Sequence, residues 1–330
     1  MDVIFSACEA KKFIGDNKTA VALGMFDGIH LGHAAVLQKL TSVALRSGIP
    51  SVVFTFDRHP VSVLKGLEVP NIVTQEEKIA LIEKHRVDCL LFWPFDQELA
   101  SMTPQDFISE ILLGTLNAAE VVVGYNYTFG AGAQGDPDAL RELGARQGIR
   151  VHIVPPIIIN GVAVASTEIR RLLLEGKVKD AGVLLGRPFS LTGVVEKGRG
   201  IGRSLGFPTA NFEFPGDIIQ LANGVYAVKL RIYGRIFLGV ANVGFRPTFN
   251  GKNKLVEIYV MDAELDLYGE RITVYFIERI REEIRFNSAA DLARQIQVDV
   301  KTAMEILKSP TYVYTGSKLW YNVCGIGTPC

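Results

Sequence analysis

Gly24-Met25-Phe26-Asp27-Gly28-Ile29-His30-Leu31-Gly32-His33 lies between an apolar run, Ala20 to Leu23, and a stretch, Ala34 to Arg46, that sets Leu37, Leu40 and Ala44 on one helical face. Strand, glycine-rich turn and helix in that order open a βαβ unit. The alternation continues through Ser51 to Phe56, Val87 to Phe92, Glu120 to Val123 and Val151 to Val154, short apolar runs of the kind buried on both faces of a sheet. Helical stretches separate them, such as Pro104 to Leu113, where Thr103 can cap the first turn and Pro104 can occupy it. Up to residue 185 the pattern predicts an α/β doubly wound parallel sheet.

From Gly186 onward the helical spacing vanishes. Phe189 to Val195, Gly224 to Ile232, Arg235 to Val243, Leu255 to Met261 and Arg271 to Ile280 follow one another as strand-like runs, with Tyr233-Gly234 as a tight hairpin turn. Successive strands without crossover helices predict an antiparallel β-barrel domain, with Ser288 to Leu307 as a C-terminal helix packed on it. The change of rhythm at Gly186-Arg187-Pro188 sets the expected domains at 1–185 and 186–330, and the tail, 305–330, carries no functional reading.

A chain of 330 residues exceeds a comfortable single core, in keeping with two domains. No apolar run reaches the roughly 18 residues that span a bilayer, and Met1 to Ala10 lacks the order of a signal peptide, so the expected compartment is the cytoplasm, with no membrane partner. Cys8, Cys89, Cys324 and Cys330 form no CxxC pair and read as reduced thiols. A formal net charge of zero argues against a nucleic-acid surface and is compatible with a homo-oligomer.

In an open parallel sheet ligands sit at the carboxyl ends of strands, and a helix N-terminus offers free amides to phosphate. Gly24, Gly28 and Gly32 allow close approach of backbone, while His30 and His33 can donate to phosphate oxygens as charge develops on a leaving pyrophosphate. One histidine here reads as structural; a pair spaced HxGH on a strand-to-helix turn reads as functional. Downstream, Thr55-Phe56-Asp57-Arg58-His59-Pro60, Val123 to Gly130 and Ser166-Thr167-Glu168-Ile169-Arg170 fall where such a sheet places ligand contacts. Gly130 to Gly135 spells GxGxxG but starts six residues past the strand end at Gly124, out of place for a dinucleotide fingerprint.

These motifs resemble the HxGH nucleotidyltransferase superfamily, and GMFDGIHLGH is similar to the FMN adenylyltransferase domain of prokaryotic FAD synthetases. The resemblance implies nucleotide contacts at Gly24, Asp27, Gly28, Ser166, Thr167 and Arg170, flavin contacts at Phe56, His59 and Asn126, and catalytic roles for His30 and His33. Against the family pattern, Arg58 stands where proline is usual, Asn126 where aspartate is frequent, and Ala163 and Ala165 where a basic residue and a second serine are expected.

Gly198-Arg199-Gly200-Ile201-Gly202-Arg203-Ser204-Leu205-Gly206-Phe207-Pro208-Thr209-Ala210-Asn211 is the densest signal of the second half. Its glycine spacing, and Arg203 in place of lysine, exclude a Walker A loop, yet loop amides followed by a hydroxyl and a carbonyl suit a Mg²⁺-nucleotide site of hard oxygens. The segment resembles the riboflavin kinase signature, and Gly224-Val225-Tyr226, Gly239 to Gly244, Arg246-Pro247-Thr248, Val256-Glu257-Ile258, Leu267-Tyr268-Gly269 and Arg281 to Phe286 match in order. The resemblance implies nucleotide contacts at Gly198, Gly200, Gly202 and Gly206, Mg²⁺ held by Thr209 and Asn211, a flavin contact at Arg281, and Glu257 as the base for the ribityl hydroxyl. The expected enzyme is bifunctional, with riboflavin, FMN, FAD and ATP as ligands. Two alternatives stand beside it: a riboflavin kinase with a weakened first domain, and a flavin-responsive regulator without chemistry.

Overall fold

Near-continuous apolar strands can be buried on both faces only in the middle of a parallel sheet covered by helices. Such a sheet forms from β1 (Asp2–Ile4), β2 (Thr19–Leu23), β3 (Ser51–Phe56), β4 (Cys89–Trp93), β5 (Ala118–Gly124) and β6 (Arg150–Val154) in the order β1-β4-β3-β2-β5-β6, every pair parallel. The molecule is known from a computed structural model describing residues 1–196, 206–248, 251–263 and 265–308. All five residues of β2 are buried. Val21, Leu23, Phe54, Leu91, Val121 and Val123 meet Phe107, Ile111 and Leu116 in one apolar cluster.

Sequence and structure part company in two places here. β1 was not expected; a three-residue strand on the edge is too short to show a period. Pro104–Asp106 is a single α turn, after which Phe107–Leu113 widens to a π-helix, with Gly114 N–H donating to Ser109 O and Leu116 N–H to Ile111 O, both at 2.9 Å. The expected helix is therefore present with its second half underwound.

A short antiparallel pair, β7 (Ile158–Ile159) and β8 (Val162–Ala163), follows the parallel sheet. The second sheet is antiparallel, in the order β10-β13-β12-β11-β14-β9, from β9 (Phe189–Val194), β10 (Thr209–Glu213), β11 (Gly224–Ile232), β12 (Arg235–Thr248), β13 (Gly251–Val260) and β14 (Arg271–Arg281). It curls into a half-barrel until its edges meet beyond β9, where Glu196 N–H donates to Asn211 O at 2.7 Å. Gly193 permits this closure, since a Cβ there would lie 2.2 Å from the Phe212 ring. Phe189, Phe212, Tyr226 and Phe276 are fully buried, and the Tyr226 and Phe276 rings meet edge-on at 5.5 Å. Tyr233 and Gly234, at φ 48° and 75°, form the two-residue β11–β12 turn that the sequence predicts. On the opposite face Val225, Ala227, Val240 and Met261 receive Ala303 and Leu307 of the helix Ala289–Lys308.

The chain forms two compact units, Met1–Ser166 and Thr167–Cys330, a division that falls ahead of the change of rhythm at Gly186. The helix Val178–Leu185 explains it, because this helix packs on β9 and β14, and Lys179 Nζ lies 3.0 Å from Glu278. Its Val178, Ala181, Leu184 and Leu185 are buried. Since a fully buried aliphatic side chain contributes about 1.5–3 kcal/mol, a fragment beginning at Gly186 should unfold at a distinctly lower temperature than one beginning at Thr167. Calorimetry of both fragments checks this; equal midpoints would show that the helix adds nothing to the second unit.

Candidate active sites

In the parallel sheet β3 and β4 lie to one side of β2, and β5 and β6 to the other. The chain thus reverses its winding at β2, and the crevice beyond the carboxyl ends of β2 and β5 is where this architecture takes ligands. Gly24 to His30 leaves β2 at that point. Its backbone is unusual: Phe26, Gly28 and Ile29 have φ of 47°, 84° and 38°. Glycine is required at the middle position, because a Cβ on Gly28 would also press on Ile72 at 3.1 Å.

The loop is fastened from below. The buried Asp27 carboxylate accepts from Ile72 N–H at 2.9 and 3.2 Å, and Thr55 Oγ1 and Lys78 Nζ donate to Met25 O at 2.9 and 3.0 Å. Ser166 Oγ donates to Asp27 O at 3.0 Å, joining the late motif to the loop. Ser166 opens the helix Ser166–Leu174, which Thr167, exposed, and Arg170, half-buried, continue.

His30 caps the helix Leu31–Ser47, its Nδ1 accepting from His33 N–H at 3.2 Å. That bond needs a lone pair on Nδ1, so the neutral ring carries its proton on Nε2. The His30 and His33 rings stack with centroids 3.6 Å apart and planes 14° from parallel. A Cβ on Gly32 would lie 3.0 Å from the His30 ring, which is why the residue before His33 is glycine. The pair thus sits at a helix start, where amides and the helix dipole both favour anions.

Phe56 ends β3 and packs edge-on against Phe95 at 5.0 Å; His59 caps Pro60–Lys65 through Val61 N–H at 3.2 Å. Asn126 is exposed just past β5, beside Tyr127, whose hydroxyl burial drives up in pKa. The Gly130 to Gly135 segment closes on itself through the Phe129–Gly135 bridge, so it is not a strand-to-helix turn.

In the second unit Thr209 and Asn211 lie on β10, a strand that is not among the runs picked out in the sequence. Register places Asn211 opposite Glu257 on β13, and Glu257 opposite Asn242 on β12. Directly opposed residues share a face with Cβ atoms about 4.5–5.5 Å apart, so amide, carboxylate and amide form one row. Thr209 and Asn211 line a cleft with Pro208, Leu265, Asp266 and Tyr268. Among the described residues Asn211 Oδ1 is buried without a hydrogen-bond partner. A buried, unsatisfied carbonyl beside a hydroxyl is a fitting donor pair for a hard divalent cation. Gly206, at φ 84°, opens the chain segment leading to Thr209; Gly198, Gly200 and Gly202 lie outside the described residues.

Arg281 has a different environment from the one expected of a ligand contact. Its Nε and Nη2 fork onto the buried Asp299 carboxylate at 2.9 and 2.7 Å, tying β14 to the C-terminal helix, with Gln295 adding a bond of 3.0 Å. The sequence reading passes over Lys78 and Ile72, and gives Asn242, inside the Gly239 to Gly244 match, no role of its own. For Lys78 a signal existed, because it shares a helical face with Leu81 and Ile82, the other buried residues of Gln75–Glu83.

A doubly wound unit with paired histidines at a helix start, followed by a curled antiparallel unit with a Thr209/Asn211 pair beside Glu257, defines a two-part nucleotide-dependent transferase. The FAD synthetase family matches residues 13–168, and the riboflavin kinase family matches 185–307. The bifunctional riboflavin kinase/FMN adenylyltransferase of Haemophilus influenzae is 36% identical over 292 residues, 88% of this chain and 94% of that protein. Those of Escherichia coli K12 and of Buchnera aphidicola from Schizaphis graminum are 36% and 35% identical, over 86% and 87% of this chain and 91% and 93% of theirs. A crystal structure described as a macrolide-efflux protein from Streptococcus pneumoniae superposes with a TM-score of 0.84 at 32% identity, covering 92% of this chain and 99% of that one.

The chain belongs to the bifunctional riboflavin kinase/FMN adenylyltransferase family and carries both of its domains. It is an ATP-dependent transferase of flavin cofactor synthesis, which leaves the single-activity and regulatory alternatives without support. Among the described residues no helix is long and apolar enough to cross a membrane.

Proposed function

We propose that riboflavin and ATP become FMN and ADP at the Thr209, Asn211 and Glu257 cluster, and that FMN and ATP become FAD and pyrophosphate at the Gly24 to His33 loop. The observation that carries the kinase half is the register of Asn211 against Glu257, beside an Asn211 carbonyl that is unsatisfied among the described residues. The His30–His33 stack at a helix start carries the adenylyl half. The adenylyl-transfer groups would all come from residues 1–185 and the phosphorylation groups from 186–330, although the helix Val178–Leu185 packs with the second unit.

In phosphorylation the ribityl hydroxyl oxygen attacks the γ-phosphorus, its proton passes to the Glu257 carboxylate, and the bond to the β–γ bridging oxygen breaks to release ADP. Thr209 Oγ1 and Asn211 Oδ1 are the groups that would hold Mg²⁺, which when bound offsets the charge of the phosphate oxygens. Gly198, Gly200, Gly202 and Gly206 would wrap phosphate with backbone amides. Arg281 would act on flavin through the placement of β14 against the C-terminal helix, given its fork onto Asp299.

In adenylylation an FMN phosphate oxygen attacks the α-phosphorus of ATP, and the bond to pyrophosphate breaks. His30, through Nε2–H, and His33 would donate to the charge that grows on the leaving group. Gly24 and Gly28 would admit the nucleotide close to the backbone, while Ser166, Thr167 and Arg170 would meet triphosphate oxygens. Asp27 would serve by shaping the loop, since its carboxylate is occupied by the Ile72 amide. Phe56, His59 and Asn126 would line the flavin. The ligands are small molecules, riboflavin, FMN, FAD and ATP, without nucleic acid; cytoplasmic placement and a homo-oligomer belong to this reading.

Chromatography of flavin products from riboflavin, ATP and Mg²⁺ tests it. FMN should appear first and FAD after it. A reaction stopping at FMN would remove the adenylyl half, and omission of Mg²⁺ without loss of either product would remove the metal.

A further inference from the structure

Beneath the loop that carries the paired histidines lies a buried lysine to which the scheme above gives no task. Lys78 is 6% exposed on the helix Gln75–Glu83, its ammonium donates to Met25 O at 3.0 Å, and it stands 5.8 Å over the Phe92 ring. A cation taken out of water is costly unless it is paired, so its presence beneath the loop asks for a reason. Burial pushes the ammonium down in pKa, and the Asp27 carboxylate opposes that shift.

Three neighbouring loop positions are gripped by one short segment. Lys78 holds Met25 O, Ile72 N–H holds the Asp27 carboxylate, and the Ile72 side chain supports Gly28, where a Cβ would lie 3.1 Å away. From the other side Thr55 Oγ1 donates to the same Met25 carbonyl at 2.9 Å. In a trans peptide the C=O of one residue and the N–H of the next point in opposite directions. A Met25 carbonyl drawn toward Lys78 and Thr55 therefore turns the Phe26 amide away from the protein interior beneath the loop. The loop also holds two non-glycine residues at positive φ, Phe26 and Ile29, a conformation that persists only where its surroundings enforce it.

We propose that Lys78 is a positioning residue for adenylyl transfer: by clamping the Met25 carbonyl it holds the Phe26 amide and the His30–His33 pair in the arrangement that meets the ATP phosphates. This rests on the assignment of the loop to adenylyl transfer. The lysine touches no substrate; it acts through the backbone it fixes.

The test uses the full chain with Lys78→Met, which matches length and removes both the charge and the donor. Rates of FAD formation from FMN and ATP and of FMN formation from riboflavin and ATP are measured on the same preparation, with thermal unfolding alongside. Misplacement of a reacting group by about 1 Å can cost about 10²-fold, so the kcat of adenylylation should fall on that order while the KM for ATP changes little and phosphorylation is kept. Lys78→Arg, retaining a cationic donor, should recover most of the loss. Thr55→Val removes the second donor to the same carbonyl without disturbing the buried cation, and should lower kcat in the same direction by less.

A folded Lys78→Met protein with normal kcat and only a lower unfolding temperature would overturn the proposal, since the lysine would then be scaffold. If Lys78→Met does not fold, Thr55→Val decides: a normal kcat there means that the Met25 carbonyl does not set the rate, and the proposal falls. A wild-type protein that makes FMN but no FAD is a separate failure, because it removes the assignment of the loop itself.

Discussion

His33→Ala should lower FAD formation about 10²–10³-fold, the usual cost of one preorganised donor to transition-state charge, while FMN formation from riboflavin continues at its normal rate. The separation follows from the fold, since His33 belongs to the first compact unit and Thr209, Asn211 and Glu257 to the second. The substitution is also clean at the backbone. The cap on the helix Leu31–Ser47 is made by the His33 N–H, which alanine retains, so His30 keeps its Nδ1 bond. What alanine removes is the ring stacked 3.6 Å from His30. His33→Phe distinguishes the two consequences of that loss, because it keeps a ring to stack and has no nitrogen to donate. If the phosphate role is correct, phenylalanine should be nearly as inactive as alanine. Rates of FMN adenylylation by the two purified variants decide, and normal FAD output from either would end the assignment.

The doubly wound sheet could be read because burial on both faces writes itself into each strand as an unbroken apolar run, and helices of the right length separate the runs. β10 could not be read in the same way. Its five residues, Thr209 to Glu213, hold only Ala210 and Phe212 at period two, and they follow a glycine-rich stretch and Pro208 that argue for a loop. The omission matters for chemistry, since an unassigned segment gives Thr209 and Asn211 no defined neighbour, whereas β10 fixes Asn211 opposite Glu257.

Supporting residues are legible from their place on buried helical stripes rather than from motifs. Lys78 lies on the buried stripe with Leu81 and Ile82, and Asp299 lies on the stripe with Ala303 and Leu307. A lone charge on an apolar helical stripe must find a partner across the interface. Lys78 finds Met25 O, and Asp299 finds Arg281. The sequence shows that such a partner is needed; only the packing of distant segments shows which one, because Met25 and Lys78 lie 53 positions apart.

Glu257→Gln should abolish most riboflavin phosphorylation and leave conversion of supplied FMN to FAD intact. Glu257 sits between Asn211 and Asn242 in a cross-strand row, and glutamine has the length and planarity to occupy the same place. The side chain is exposed, so loss of its charge strands no buried cation and the sheet should unfold at nearly the same temperature. What is lost is a group able to take the proton of a primary alcohol as it attacks phosphorus. A positioned general base contributes typically about 10²–10⁴-fold, and a fall in kcat within that range is expected. The KM for ATP should move little, because the proposed nucleotide and metal contacts lie on β10 and in the segment before it. Glu257→Asp separates the base from mere charge: the carboxylate is kept but withdrawn by one methylene, and partial activity should return if proton transfer sets the rate. Initial rates of FMN formation, with FAD formation from FMN as the internal control, give the answer. Near-normal phosphorylation by Glu257→Gln would show that the alcohol loses its proton to another group, and Glu257 would then be a surface residue of β13.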